Sequence, residues 1–356
     1  MEQTQVHNEN QIGRYSILRK LGEGGMARTW LCQLDGGHGF QRKVVVKAPR
    51  SDSLDDDHIT MFTDEARVGV MMEHPNIPRV TELGFEGTLP YMVQEFVEGP
   101  SLTRITRRMR RQGVIDTVLA AQVCAAIARA LHYAHTTTDE HGVQLSVVHR
   151  DISLSNVLIS EKGRPKLIDF GVATWSDREA RTQVGVVKGK LRYLAPELLV
   201  GDKPTHRSDL YALGVVLYIT CCGKSPWGSD QSIMERAAGS YTPITEHIPE
   251  LPEALVSIID RLLSLTPRDR FRTGSEVALA LDGWLRSAGH TPGDEDYIAA
   301  ALRTLFPEGR KGWQHTSEPS SLNSFPSPPT RHTDALQPQP TGTGTAIAQQ
   351  LSLIHI

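Results

Sequence analysis

The sequence predicts an α+β chain: an N-terminal third built from antiparallel strands around one main helix, followed by a mainly helical remainder. Three observations carry this. In YSILRKLGEGGMARTWLCQL apolar residues alternate on both sides of a glycine cluster, the pattern of strand, tight turn and strand. KVVVKAPR, RVTELGFEG and LPYMVQEFVEG add three apolar runs and bring the strand total to five, with the helical stretch DHITMFTDEARVGVMMEHPNI among them. Beyond them lie long apolar helical runs such as LYALGVVLYITCC, and 356 residues suffice for two lobes or two domains with real cores.

Taken in order, residues 1–14 (MEQTQVHNENQIGR) are polar and read as a disordered start without a signal peptide. Gly22, Gly24 and Gly25 allow a close backbone approach, so that amides can point at phosphate oxygens. Ala27 stands at the third glycine position of that pattern, and a plain glycine turn accounts equally well for the segment alone. A dinucleotide fingerprint needs a helix next, whereas RTWLCQL reads as strand. Lys47 ends the next apolar run. Glu65 lies among Phe62, Ala66 and Met72 on the inward face of the following helix, and a half-buried carboxylate wants a cation. Gly69 weakens this helix by about 1 kcal/mol relative to alanine, and we read it as a packing residue.

Composition narrows the function classes. The net charge of −3 offers no electrostatic case for nucleic acid or an anionic membrane surface. Cys32, Cys124, Cys221 and Cys222 form no C-x-x-C pair and no metal-ligand spacing, so free, mostly buried thiols are expected. No apolar stretch is read as long enough to span a bilayer. Residues 312–350 are rich in Ser, Pro, Thr and Gln and read as a disordered linker. The last six residues, LSLIHI, have a back-translation matching a transposase adapter used in DNA library preparation. Leu351–Ile356 are therefore expected to be adapter read-through, with the natural protein continuing.

The decisive strings are LGEGGMA, VVVK with Lys47, Glu65, HRDISLSN, DFG at 169–171, APE at 195–197, SDLYALG at 208–214 and Arg270 in TPRDRF. Asp151 to Asn156 is five positions and Asn156 to Asp169 is thirteen. In this order and spacing the chain resembles the bacterial, eukaryotic-like serine/threonine protein kinases over residues 15–285. The resemblance implies the two-lobed protein-kinase fold. Its N-lobe and hinge would be residues 15–97, with a five-stranded antiparallel sheet and one main helix. Its C-lobe would be residues 98–286, mainly helical, and residues 287–311 a helical extension.

The same resemblance implies ATP and Mg²⁺ as cofactors and protein substrates as partners. Leu21, Gly22, Gly24 and Gly25 would cover the nucleotide. Lys47, held by Glu65, would meet the α- and β-phosphates. Thr29 and Val45 would roof the adenine pocket and Leu158 floor it. Gln94 would guard its back, and the hinge residues Glu95 and Val97 would present backbone groups to the adenine edge. Asp151 would orient the acceptor hydroxyl and take its proton, while Asn156 and Asp169 would be the oxygen ligands of Mg²⁺. Asp209 would cap its helix and brace the catalytic loop. Glu197 and Arg270 would form the buried ion pair that anchors the activation segment. Thr182 is the best acceptor for autophosphorylation, ahead of Thr174 and Ser176, with Arg150 placed to capture the phosphate. Self-association for autophosphorylation in trans, a cytoplasmic kinase domain and a membrane-anchored longer protein follow from the same likeness.

HRDISLSN departs from the family pattern, because Ser153 stands where the loop lysine is expected. GKLRYLAPE departs in the opposite sense, with Lys190 in the place of a threonine. A hydroxyl and an ammonium thus exchange walls of the acceptor site, and Lys190 can return the missing charge. A nucleotide-binding pseudokinase scaffold is the alternative reading. A small-molecule kinase ranks below it, since it gives no reason for APE and Arg270. The loop also lacks the alanine-arginine pattern of tyrosine kinases.

The remaining features have plainer readings. Arg104, Arg107, Arg108, Arg110 and Arg111 form a solvated helix face. The extra residues around DEHG make a surface turn, and His132, His135 and His141 form no metal cluster. DEDYIAAALRTLFPEG reads as a short amphipathic helix that packs on the C-lobe or begins the linker.

Overall fold

The computed structural model of the chain describes residues 10–23, 27–50, 56–145, 147–170, 191–227 and 233–313. The N-lobe is one antiparallel sheet of β1 (Gln11–Ile12), β2 (Tyr15–Glu23), β3 (Ala27–Asp35), β4 (Gln41–Pro49), β5 (Val80–Glu86) and β6 (Leu89–Glu95), in the order β1-β2-β3-β4-β6-β5. β1 adds a sixth strand to the five expected and corrects the disordered reading for residues 10–14, while residues 1–9 lie outside the described residues. Ile12 is fully buried beside Tyr15 and Trp30, and the Gly13 amide donates to Glu86 at 2.8 Å. One apolar side chain in a polar stretch is enough to seat the strand when a pocket at the sheet edge receives it.

Side chains alternate across the sheet. Val44, Val46 and Ala48 join the apolar layer with Trp30 and Tyr91, which turns Val45 and Lys47 to the other face. Helix α1 (Asp56–Met71) packs there, with Phe62 and Ala66 against Val80 and Met92. Gly69 is a packing residue: a Cβ on it would stand 2.8 Å from Val80 Cγ2.

The C-lobe contains α2 (Leu102–Gln112), α3 (Thr117–Thr136), the hairpin β7 (Val157–Ile159) and β8 (Pro165–Leu167), and α4 (Pro196–Leu199). It continues with α5 (His206–Cys222), α6 (Ile233–Ala237), α7 (Glu253–Leu262), α8 (Gly274–Ser287) and α9 (Glu295–Leu305). The twenty residues of α3 are long and apolar enough to cross a membrane by length and composition, which corrects the sequence reading. They are mostly buried, packed against α5 and α8, as a core helix must be. The four cysteines are free thiols, and burial pushes Cys32 up to about 12 and Cys222 up to about 11. The residues around DEHG do turn, with Asp139 Oδ1 accepting from the His141 and Val143 amides.

At the C-terminal end α9 buries Ile298, Ala299, Leu302 and Leu305, and a short 3-10 turn (Gly309–Gly312) follows. Gly312 is buried and Trp313 packs half-buried against the C-lobe core, so order extends past the boundary that composition set at 312. The Ser/Pro-rich composition around Trp313 conceals the apolar surface that its indole buries. The rest of the 312–350 segment and residues 351–356 lie outside the described residues.

Candidate active site

The cleft is built from the sheet downward. Lys47 Nζ lies 2.6 Å from Glu65 Oε1 and 3.8 Å from Asp169 Oδ1. Burial by itself would lower the Lys47 ammonium, but Glu65, then Asp169 and Asp151, together hold it above its ordinary value. Lys47 is therefore a fixed cation with carboxylates on two sides. Glu65 reaches it because Gly69 lets α1 lie close on β5.

The catalytic loop is held from beneath by Asp209, which is 2 % exposed. Its Oδ2 accepts from the His149 amide at 2.8 Å and pairs with His135 Nε2 at 2.8 Å, and its Oδ1 accepts from the Arg150 amide at 2.9 Å. Arg150 needs this support because its φ is +66°, a left-handed conformation unfavourable for a residue that carries a Cβ. The expected capping role of Asp209 is corrected: Thr205 caps α5 in a capping box with Ser208, and Asp209 is the fourth residue of the helix. Asp209 is thus free to brace the loop.

His149 is fully buried and links the loop to the segment between β8 and DFG. Its Nε2 meets the Ile168 carbonyl at 3.1 Å and its Nδ1 accepts from the Asp151 amide at 3.3 Å, which assigns the tautomer from its partners. Burial pushes its imidazole down despite the carboxylates of Asp209, Asp151 and Asp169, so it is the neutral form that bridges. Its ring lies 4.5 Å from that of Phe170. Asp169 itself has φ +58°, so two left-handed non-glycine residues flank the site.

Asn156 Nδ2 donates to the Asp151 carbonyl at 2.7 Å and to Asp151 Oδ2 at 2.8 Å. The planar amide therefore aims Oδ1 away from Asp151. Asn156 Oδ1 and the Asp169 carboxylate are hard oxygen donors, the donor set a Mg²⁺ ion takes. Ser153 is 3 % exposed, and its hydroxyl is 2.8 Å from that of Ser155, a bond inside the loop.

The other predicted positions fall around this centre. Gly22 pairs with Thr29, Thr29 with Lys47 and Val45 with Gln94 in the sheet register, and Leu21 stands half-buried in β2. Val45 and Val97 are buried, and Leu158 bridges to Ser101 just after the hinge. A crevice behind Gln94 is lined by Glu65, Met72, Leu167, Asp169 and Phe170. Gly24, Gly25, Thr174, Ser176, Thr182 and Lys190 lie outside the described residues.

Sequence reasoning missed Lys166. It is 7 % exposed, and its Nζ lies 2.7 Å from Glu95 Oε2 and 3.3 Å from the Ile77 carbonyl. The Glu95 side chain thus ties the end of β6 to β8. The available signal was a lysine inside the short apolar run before DFG. Glu197 and Arg270 form a bidentate pair with both contacts at 2.7 Å. Among the arginines of α2, Arg108 is no solvated bystander: it takes the Leu305 carbonyl at 2.9 Å and both Glu308 oxygens at 2.8 Å.

The protein kinase domain family matches residues 15–279. The chain belongs to the protein kinase family. Among relatives of this kinase is a protein named tyrosine-protein kinase MasK of Myxococcus xanthus, 39% identical over 280 residues, which cover 77% of this chain and 43% of that one. Serine/threonine-protein kinase PknA of Mycobacterium tuberculosis is 34% identical over 275 residues, 76% of this chain and 61% of its own. Serine/threonine-protein kinase PrkC of Bacillus subtilis is 33% identical over 272 residues, 74% of this chain and 39% of its own. The kinase chain thus spans between 39% and 61% of the length of these relatives. In fold it is similar to the crystal structure of the Mycobacterium tuberculosis PknI kinase domain, with a TM-score of 0.57 at 24% identity over 78% of this chain and 98% of that one.

Proposed function

We propose that this kinase transfers the γ-phosphate of ATP to serine and threonine hydroxyls of proteins, and that it phosphorylates itself at Thr182. The observation that carries the reading is the Lys47–Glu65 pair at 2.6 Å with Asp169 beside it, on the same cleft as Asp151 and Asn156. Phosphoryl transfer needs positioning and charge stabilisation more than covalent help. Lys47 would bind the α- and β-phosphates, and Asp151 would orient the acceptor hydroxyl and take its proton. Asn156 and Asp169 would hold Mg²⁺, which when bound neutralises phosphate charge. Lys190 is proposed to supply the cation that Ser153 lacks. Substrates in this reading are proteins, self-association would serve phosphorylation in trans, and the kinase domain would face the cytoplasm of a longer, membrane-anchored protein.

Two other readings each rest on a specific observation. The tyrosine-kinase name of the Myxococcus relative favours a tyrosine acceptor, and the Ser153 position favours a nucleotide-binding scaffold without transfer. One experiment separates all three. The purified chain and its Asp151→Asn variant are incubated with labelled ATP and Mg²⁺, followed by phosphosite mapping and phosphoamino-acid analysis. Phosphothreonine at Thr182 in the unmutated chain alone is expected. Phosphotyrosine moves the assignment to the second reading, and nucleotide binding without any transfer moves it to the third.

A further inference from the structure

Residues 288–313 lie beyond the family match, which ends at 279, yet they touch both flanks of the hinge. On one side Arg108, in the helix that follows the hinge, is held by the Leu305 carbonyl and Glu308 and stacks over Phe306 at 5.3 Å. On the other side the first turn of α9 rests directly on the β7–β8 turn. Gly163 has φ +84°, and a Cβ there would stand 1.9 Å from the Glu295 carbonyl oxygen. Its neighbour Arg164 forms a fork with Glu295 at 2.7 and 3.1 Å.

Arg310 closes the arrangement. Its Nη1 is 3.3 Å from Glu98 at the end of the hinge, and its Nη2 is 2.7 Å from Glu161 in the β7–β8 turn. The Glu161 amide donates to the Glu98 carbonyl at 2.9 Å, so these two carboxylates are neighbours and the guanidinium lies between them. Lys43 Nζ approaches Glu98 from the other lobe at 3.7 Å, and it lies on β4, the strand that carries Lys47. A charge chain Lys43–Glu98–Arg310–Glu161 therefore runs from the N-lobe across the hinge to the C-terminal segment. Behind it, β7 carries Leu158, and the Ile159 amide donates to the Pro100 carbonyl at 3.0 Å.

We propose that residues 288–313 clamp the hinge side of the nucleotide cleft, and that Arg310 is a positioning residue for nucleotide binding through its bridge between Glu98 and Glu161. The clamp rests on the reading above that the cleft binds ATP. Removing Arg310 leaves two neighbouring carboxylates facing each other, which pushes the end of the hinge from the β7–β8 turn. The participants are partly exposed, so the effect is modest and is screened by salt.

The test is a titration of the full chain with a fluorescent ATP analogue and Mg²⁺, at about 25 mM and about 500 mM salt. Arg310→Ala is expected to weaken binding about two- to fivefold at low salt, with the difference shrinking at high salt. Arg310→Glu should lose more, and the charge swap Arg310→Glu/Glu161→Arg should recover most of that loss. A merely structural role would lower the melting temperature of Arg310→Ala and leave its affinity for the analogue unchanged, and that result overturns the clamp. Failure of the unmutated chain to bind the analogue overturns the nucleotide reading and the clamp with it.

Discussion

Arg270 is the most heavily committed cation among the described residues, and its removal makes the sharpest stability prediction. The side chain is fully buried and satisfies each of its five N–H donors. Nε donates to the Ser264 carbonyl at 2.9 Å. Nη1 donates to Glu197 at 2.7 Å and the Arg207 carbonyl at 3.1 Å, and Nη2 to Glu197 at 2.7 Å and the Leu265 carbonyl at 3.1 Å. The guanidinium also lies 4.7 Å from the centre of the Tyr211 ring. Arg270→Met keeps much of the apolar volume but leaves a nearly buried carboxylate and three carbonyls without their donors. Breaking a buried pair from one side costs about 3–5 kcal/mol, and the stranded carbonyls place this case toward the upper end. Glu197→Gln is milder, because the three carbonyls still hold the cation and one amide oxygen can accept; a loss of about 1.5–3 kcal/mol is expected. Urea unfolding followed by far-UV circular dichroism gives both values. A loss below about 1 kcal/mol for Arg270→Met would refute the reasoning, since it would mean that this pair is not desolvated as its burial implies.

Further outcomes follow from the same geometry. Burial alone would raise the Glu197 carboxyl, but its bonds to Arg270 outweigh this and hold it below the ordinary range; its contribution is then present above the unfolded value of about 4.3 and is lost as pH falls through the folded value. The acid limb of a stability–pH curve should therefore flatten in Arg270→Met, and an unchanged limb would count against the pairing. Gly69→Ala gains about 1 kcal/mol of helix propensity but forces a Cβ to 2.8 Å from Val80, so a net loss of about 1–2 kcal/mol is expected in thermal unfolding, together with weaker nucleotide binding as Glu65 shifts. For the exchanged charges, Lys190→Thr should cripple transfer and added Ser153→Lys should restore much of it, whereas additive rate losses in the cycle would sink the exchange.

Much of the fold was legible because its signals are local. Strand alternation in β2 to β6, the inward face of α1 and the spacing from Asp151 to Asp169 are all written within short windows. The residues that were missed act over long separations. Lys166 meets Glu95 from 71 positions away, Arg108 meets Glu308 from 200, and a surface-like arginine cluster carries no sign of which member will find a partner. The apolar length of α3 is equally silent on whether its surroundings are lipid or protein.

The sequence by itself determined the family, the two-part organisation and the identities of the charged groups in the cleft, because chemistry and short-range periodicity restrict those choices. Tertiary structure alone decided that Thr205 rather than Asp209 caps α5, releasing Asp209 to accept from the backbone at Arg150. It alone seated Ile12 beneath the sheet and drew Arg310 to Glu98 and Glu161. Each of these depends on which surfaces meet after folding, and burial turns an unpaired charge or an unfilled edge from a small matter into a costly one.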